Sequence, residues 1–105
     1  MNTEVSAMVG LLMDKYASQI LLGTAKKPKG IREISRDYNI PVSVCYRRIK
    51  KLVDMGLLTE VRYGKRAKYR SNIEDFRAVL NFEENKLYIT MTADGEEFEA
   101  ETSIL

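Results

Sequence analysis

The chain has 105 residues, with 17 Lys and Arg against 15 Asp and Glu, one Cys and no His. That length bounds one domain, residues 1–105, with a modest core that often gains stability by oligomerising. One cysteine excludes an internal disulfide, and the lack of histidine removes the usual general base and the commonest zinc ligand. No run of about 18 apolar residues predicts a membrane span. The N-terminus lacks the charged-then-apolar layout of a signal peptide, so the expected location is cytoplasmic.

The net charge of +2 conceals a division. Residues 1–70 carry 15 Lys and Arg against 6 Asp and Glu, a balance of +9, while residues 71–105 carry 2 against 9, a balance of −7. A basic body with an acidic tail points to an anionic partner; the competing explanation is a solvated surface of uneven charge.

In chain order, Val5, Met8, Val9, Leu12 and Met13 recur at the i, i+3, i+4, i+7, i+8 spacing of an amphipathic helix, with Asn2 or Thr3 as its cap. Residues 14–25 continue as helix with Tyr16, Ala17, Ile20 and Leu21 inward and Gly23 weakening the end. Periodicity leaves open whether the chain breaks between Leu12 and Tyr16. Pro28 and Gly30 make residues 26–30 a turn carrying Lys26, Lys27 and Lys29. Ile31, Ile34 and Tyr38 then mark a short helix whose Arg32, Glu33, Arg36 and Asp37 point away.

After Asn39-Ile40-Pro41 comes the most informative segment, a helix over 41–55. Pro41 suits a first helical turn, and Gly56 suits the stop, where a left-handed residue is needed. At about 100° per residue, Cys45, Ile49, Leu52 and Val53 share one face, and Ser43, Arg47, Lys50 and Asp54 the opposite one. A buried stripe needs only some polar outer face. It does not need Arg47, Arg48, Lys50 and Lys51 all to be cationic. Cys45 lies on the Ile49 and Leu52 side, where a small buried residue is expected rather than a redox-sensitive thiol.

Leu57–Tyr63 and Ala67–Asn72 read as two strands joined at Gly64-Lys65, with Arg62, Lys65, Arg66, Lys68 and Arg70 in the hairpin. An edge strand uses a lysine or two against aggregation, but not five cations beside a basic helix. Residues 74–92 alternate on both arms of Glu83-Glu84-Asn85, which predicts a second hairpin; a short helix over Glu74–Leu80 competes. Residues 93–105 form an acidic tail in which Asp94-Gly95 signals a turn and Phe98 either extends a strand or sits in disorder.

From about Asp14 to Ile73 the chain resembles the winged helix-turn-helix domain of ArsR-like transcriptional regulators, above all small archaeal members. The resemblance is carried by Ile31, Ile34 and Tyr38, by Ile40-Pro41, by the run Ser43 to Leu52, by Gly56-Leu57-Leu58 and by Lys68-Tyr69-Arg70-Ser71. It covers a little over half the chain. It implies an α+β fold: a winged helix-turn-helix (residues 14–73) with an N-terminal amphipathic helix (1–13) and a C-terminal β-hairpin after the wing (74–92). Metal-sensing members carry cysteine pairs and histidines, which this chain lacks, so no metal or cofactor is expected.

The resulting expectation is sequence-selective binding of double-stranded DNA by a homodimeric transcriptional regulator, with helix 41–55 in the major groove and the basic wing 58–70 on the backbone or minor groove. Candidates for base contact are Ser43, Val44, Tyr46, Arg47 and Lys50. Backbone candidates are Lys26, Lys27, Lys29, Arg36, Arg48, Lys51, Arg62, Lys65, Arg66, Lys68 and Arg70. The stripe Val5, Met8, Val9, Leu12 and Met13 is the candidate dimer contact, with the C-terminal hairpin as a second surface. No catalytic residues are expected, because Glu83-Glu84 and Glu96-Glu97 lack a rigid setting. Two alternatives stand: a winged helix used as a protein-interaction module, and an RNA-binding winged helix for which Tyr46, Tyr63 and Tyr69 would supply stacking.

Overall fold

Helix α1 (Thr3–Leu12) opens the computed structural model, which describes residues 3–105 and their side chains from Val5 onward. The cap expected at Asn2 lies outside the described residues. The apolar stripe of α1 largely faces its own chain. Leu12 is buried in the core, Met8 packs against that core, and Val5 and Val9 are half-buried, leaving Met13 exposed at 71%. As dimer contacts, Leu12 and Met8 are therefore already used within the chain.

The chain breaks at Met13-Asp14, and α2 (Lys15–Gly23) begins anew. The break has a local cause. Asp14 is extended (φ −67°, ψ 132°) and its Oδ2 accepts the Ala17 N–H at 2.9 Å, which satisfies one of the free donors of the new helix. Ala17, Ile20 and Leu21 are buried as their spacing predicts. Gly23 has a use beyond weakening a helix end, since a Cβ there would overlap the Tyr38 ring.

Helix α3 (Ile31–Tyr38) stops at Asn39, which takes the left-handed conformation (φ 53°) and turns the chain so that Ile40 enters the core. The turn is closed by the Ile40 N–H donating to the Ser35 carbonyl at 3.0 Å, while the Ser35 hydroxyl donates to the Ile40 carbonyl at 2.5 Å. Pro41 then occupies the N-cap of α4 (Val42–Asp54), one position before the first helical residue. At the other end Gly56 (φ 76°) donates to the Val53 carbonyl and Leu57 donates to the Leu52 carbonyl. This paired stop is the Schellman arrangement, and it directs Leu57 and Leu58 inward.

Strands β1 (Leu58–Tyr63) and β2 (Arg66–Ser71) form an antiparallel hairpin with Tyr63 opposite Arg66 and Gly64 at φ 64° in the tip. Lys29 joins β2 from outside, donating to and accepting from Tyr69 at 3.0 and 2.8 Å. The core beneath comprises Ile20, Ile34, Ile40, Cys45, Ile49, Leu52, Leu57 and Leu58, each at most 3% exposed.

A second antiparallel sheet follows, ordered β3 (Ile73–Asn81), β4 (Lys86–Ala93), β5 (Glu96–Ser103). The predicted hairpin is β3–β4, not the competing helix. The acidic tail adds a third strand, so the C-terminal unit is a three-stranded meander rather than a hairpin. Asp94 (φ 51°) and Gly95 (φ 78°) form the two-residue turn that makes this possible. Phe76, Ala78 and Leu80 lie opposite Met91, Ile89 and Leu87, and these lie opposite Phe98, Ala100 and Thr102, so one face of the sheet is uncharged at nine positions. Ile73, Phe76 and Met91 are its residues packed against the helical core.

Asp14 also accepts from Arg48 Nε at 3.0 Å. The Arg48 guanidinium, helped by the Ala17 amide, holds the Asp14 carboxyl below the usual carboxylate range. Its stabilising effect is therefore complete above the unfolded-state value of about 3.9 and is lost as pH falls through the lower folded-state value. Asp14→Ala is expected to lower unfolding free energy at pH 7 by about 1–2 kcal/mol. Urea unfolding at pH 7 and at pH 2.5–3 (roughly one unit below the unfolded value) should show the gap between wild type and variant narrowing in acid.

Candidate nucleic-acid interface

The geometry of the candidate site follows from which side of α4 is buried. Cys45, Ile49 and Leu52 are at most 2% exposed, so the opposite side faces out. Ser43, Tyr46, Arg47 and Lys50 are exposed there, with Tyr46 at 56%. Lys51 is exposed in the last turn, where a cation also suits the helix dipole. Val44 does not belong to this surface. It is half-buried and packs against the core, because at its angle on the helix it sits beside Cys45 rather than opposite it.

Arg48 is also removed from the free cations by the Asp14 contact, which spends its charge inside the fold. It ties the start of α2 to the middle of α4. Lys29 is similarly engaged. Its ammonium donates to Tyr38 Oη at 3.0 Å and to Asp37 Oδ2 at 3.2 Å, lies 5.0 Å from the Tyr38 ring centre, and is only 17% exposed. The Tyr38 hydroxyl, then the Asp37 carboxylate, raise the Lys29 pKa, and Lys29 in turn lowers that of Asp37. Lys29 thus locks the turn before α3. Arg36 is 74% exposed and lies 3.4 Å from Asp37, its neighbour in sequence.

The hairpin sorts its cations by strand alternation. Arg66, Lys68 and Arg70 point to one face of β2, together with Tyr63 and Val61 of β1. Lys68 lies 5.6 Å from the Tyr63 ring centre, a cation–π contact that orders both side chains. Lys65 is exposed in the tip beside Arg66. Arg62 belongs to the other face, 3.2 Å from Glu60, and that face looks toward α4.

Three open depressions connect these parts. One lies between α4 and the hairpin and is lined by Tyr46, Lys50, Asp54, Glu60, Arg62 and Tyr69. Another, at the N-terminal end of α4, is lined by Ile31, Arg32, Val42, Ser43, Tyr46 and Arg47. The third runs from Arg32 at the start of α3 to Arg66 and Lys68 on β2. Tyr46 and Arg32 are each shared by two of them, so the three depressions adjoin along α3, α4 and the hairpin. Lys26 and Lys27 are exposed but line none of the three, and neither do Arg36 and Lys51.

Arg32 and Val42 are the residues that sequence periodicity did not assign. Arg32 reads as a plain solvent position on an eight-residue helix; only the sharp Asn39 turn brings its side beside Tyr46. Val42 is 53% exposed at the first turn of α4, an apolar group on an otherwise polar face. Compared with family models, with curated proteins and with solved structures, the chain has no match.

Cys45 donates to the Ile31 carbonyl at 3.7 Å and is fully buried, and burial pushes its thiol pKa up. It is a packing residue between α3 and α4. The expected outcome with a thiol reagent at pH 8 is slow reaction in the native state, at least about tenfold slower than in urea. Native reactivity equal to that in urea would show that the helix opens.

Proposed function

We propose that α3, the Asn39–Pro41 turn, α4 and the β1–β2 hairpin form a winged helix-turn-helix that binds double-stranded DNA sequence-selectively, and that the chain acts as a homodimeric transcriptional regulator. The observation that carries this is the coupling of burial to exposure on α4. The residues that fix it in the core leave Ser43, Tyr46, Arg47 and Lys50 as its outer ridge, with Arg32 beside it and Arg66 and Lys68 of the hairpin beyond Arg32.

The major groove is about 12 Å wide and admits one such helix. With α4 lying in it, Arg47 is placed to pair with a guanine edge, Ser43 to meet either kind of base, and Val42 to touch a thymine methyl. Arg66, Lys68 and Arg70, alternating on one face of β2, suit successive phosphates, and neutralising phosphates releases counterions. Arg32 and Lys50 bracket the helix as further backbone contacts. The chain acts in this reading by binding, not by catalysis. A specific observation favours a second reading, in which exposed Tyr46 and Tyr63 stack on unpaired RNA bases.

Base contacts and phosphate contacts fail differently. Arg47→Ala is expected to relax base preference at one position of the bound site by about 1–3 kcal/mol. Lys65→Ala should weaken all duplexes alike and reduce the salt dependence by about one counterion. Fluorescence anisotropy with matched duplex and single-stranded RNA competitors separates these outcomes. Unchanged base preference in Arg47→Ala would remove α4 as the reader, and better competition by RNA than by duplex would favour the second reading.

A further inference from the structure

The three-stranded sheet has two edges of different chemistry. Along β5, Glu97, Glu99 and Glu101 occupy alternate positions, so every antiparallel pairing of β5 with a second β5 about a two-fold axis at residues 97 to 101 sets glutamate against glutamate. That edge is guarded by charge. Strand β3 has no strand on its outer side among the described residues. After Arg77 it ends in Ala78, Val79, Leu80 and Asn81, and Phe82 opens the turn beyond, none of them charged. Val79 is 58% exposed, Leu80 50% and Phe82 83%. Unpaired, uncharged edges of this kind are the ones on which further strands add.

We propose that β3 is the dimerisation edge: two copies pair β3 with β3, antiparallel, about a two-fold axis at Ala78, to give one continuous six-stranded sheet. The choice of a second copy as occupant rests on the homodimer reading above and on the charge pattern of β3. With Ala78 opposite itself, Phe76 lies opposite Leu80, Arg77 opposite Val79 and Asp75 opposite Asn81, so no like charges meet. Moving the axis to Arg77 places Arg77 against itself. Moving it to Val79 places Asp75 against Glu83. The sequence of β3 is self-complementary in this register and penalised in the adjacent ones.

A second feature fits the same register. Continued past the strand end, it carries Phe82, the first turn residue after β3, toward Glu74 of the other copy, at the irregularity near the start of β3. Glu74 borders an apolar groove of about 290 Å³ that is also lined by Leu12, Leu21, Leu22 and Phe76. Leu22 is 78% exposed at its rim. The pairing is therefore reciprocal, each Phe82 reaching the other copy's groove, and it places the two α4 helices on opposite sides of one axis.

The test uses the full chain in sedimentation equilibrium, with circular dichroism to check folding. Ala78 is exposed, so charge there leaves the single copy intact. Wild type is expected to be a dimer. Ala78→Lys and Ala78→Glu should each raise the dimer dissociation constant about tenfold or more, by placing like charges on the axis. An equimolar mixture of the two should dimerise again as a heterodimer. Phe82→Ser should also weaken the dimer. A monomeric wild type at about 0.1 mM, or dimers indifferent to charge at position 78, would overturn the proposal. Anisotropy on duplex DNA, run in parallel, keeps the two readings apart: charge-swapped heterodimers without DNA binding would support this interface and contradict the DNA reading alone.

Discussion

The rotation of α4 about its own axis is the constraint from which the rest follows. Ile49 and Leu52, with Cys45 between α3 and α4, have almost no exposure. Burying a side chain of Ile or Leu size stabilises by about 1.5–3 kcal/mol. A surface ion pair contributes at most about 1 kcal/mol. The apolar stripe therefore decides the rotation, and the cations accept the positions it leaves. Two devices hold the helix ends: the left-handed Asn39 with buried Ile40 before it, and the Gly56–Leu57 stop after it. The Asp14–Arg48 contact adds a lateral tie to α2.

The same burial places the hairpin. Because Leu57 and Leu58 turn into the core directly after Gly56, β1 must start beneath the C-terminal end of α4. Asn72 then closes the unit, its side-chain amide donating to the Gly56 carbonyl at 2.9 Å and its backbone N–H donating to the Leu57 carbonyl at 3.0 Å. Lys29 pins the far side of β2 through two backbone hydrogen bonds to Tyr69. The cations consequently divide by task. Arg48 and Lys29 serve the fold, whereas Arg47, Lys50, Lys65, Arg66 and Arg70 extend into solvent.

Much of this arrangement is legible in the residues. The α3–turn–α4 unit and the first hairpin follow from apolar periodicity, Pro41, Gly56 and Gly64. The break between α1 and α2 is not, because the apolar spacing runs through it; only a capping carboxylate at Asp14 marks it, and an aspartate inside a helical pattern reads as a surface residue. Val44 and Arg48, candidates for DNA contact by residue type and position, are engaged within the fold for a related reason. They flank the buried stripe, and the partner that settles Arg48 lies 34 positions away. The third strand of the second sheet was in plain view as Phe98, Ala100 and Thr102 alternating with glutamates. Acidity argued for a tail, but alternation and the Asp94-Gly95 turn prevail, since a strand can carry its charges on one face.

The division of charge acquires a structural meaning, with the basic balance on the helical unit and its hairpin and the acidic balance on the second sheet. A surface that is basic at one end and acidic at the other would orient the molecule on the polyanion proposed as its partner. The most direct test is to incubate the protein with a pool of short random duplexes at several salt concentrations and to sequence what remains bound. The account predicts steep weakening with salt and an enriched motif of two inverted half-sites. No binding even at low salt would contradict it.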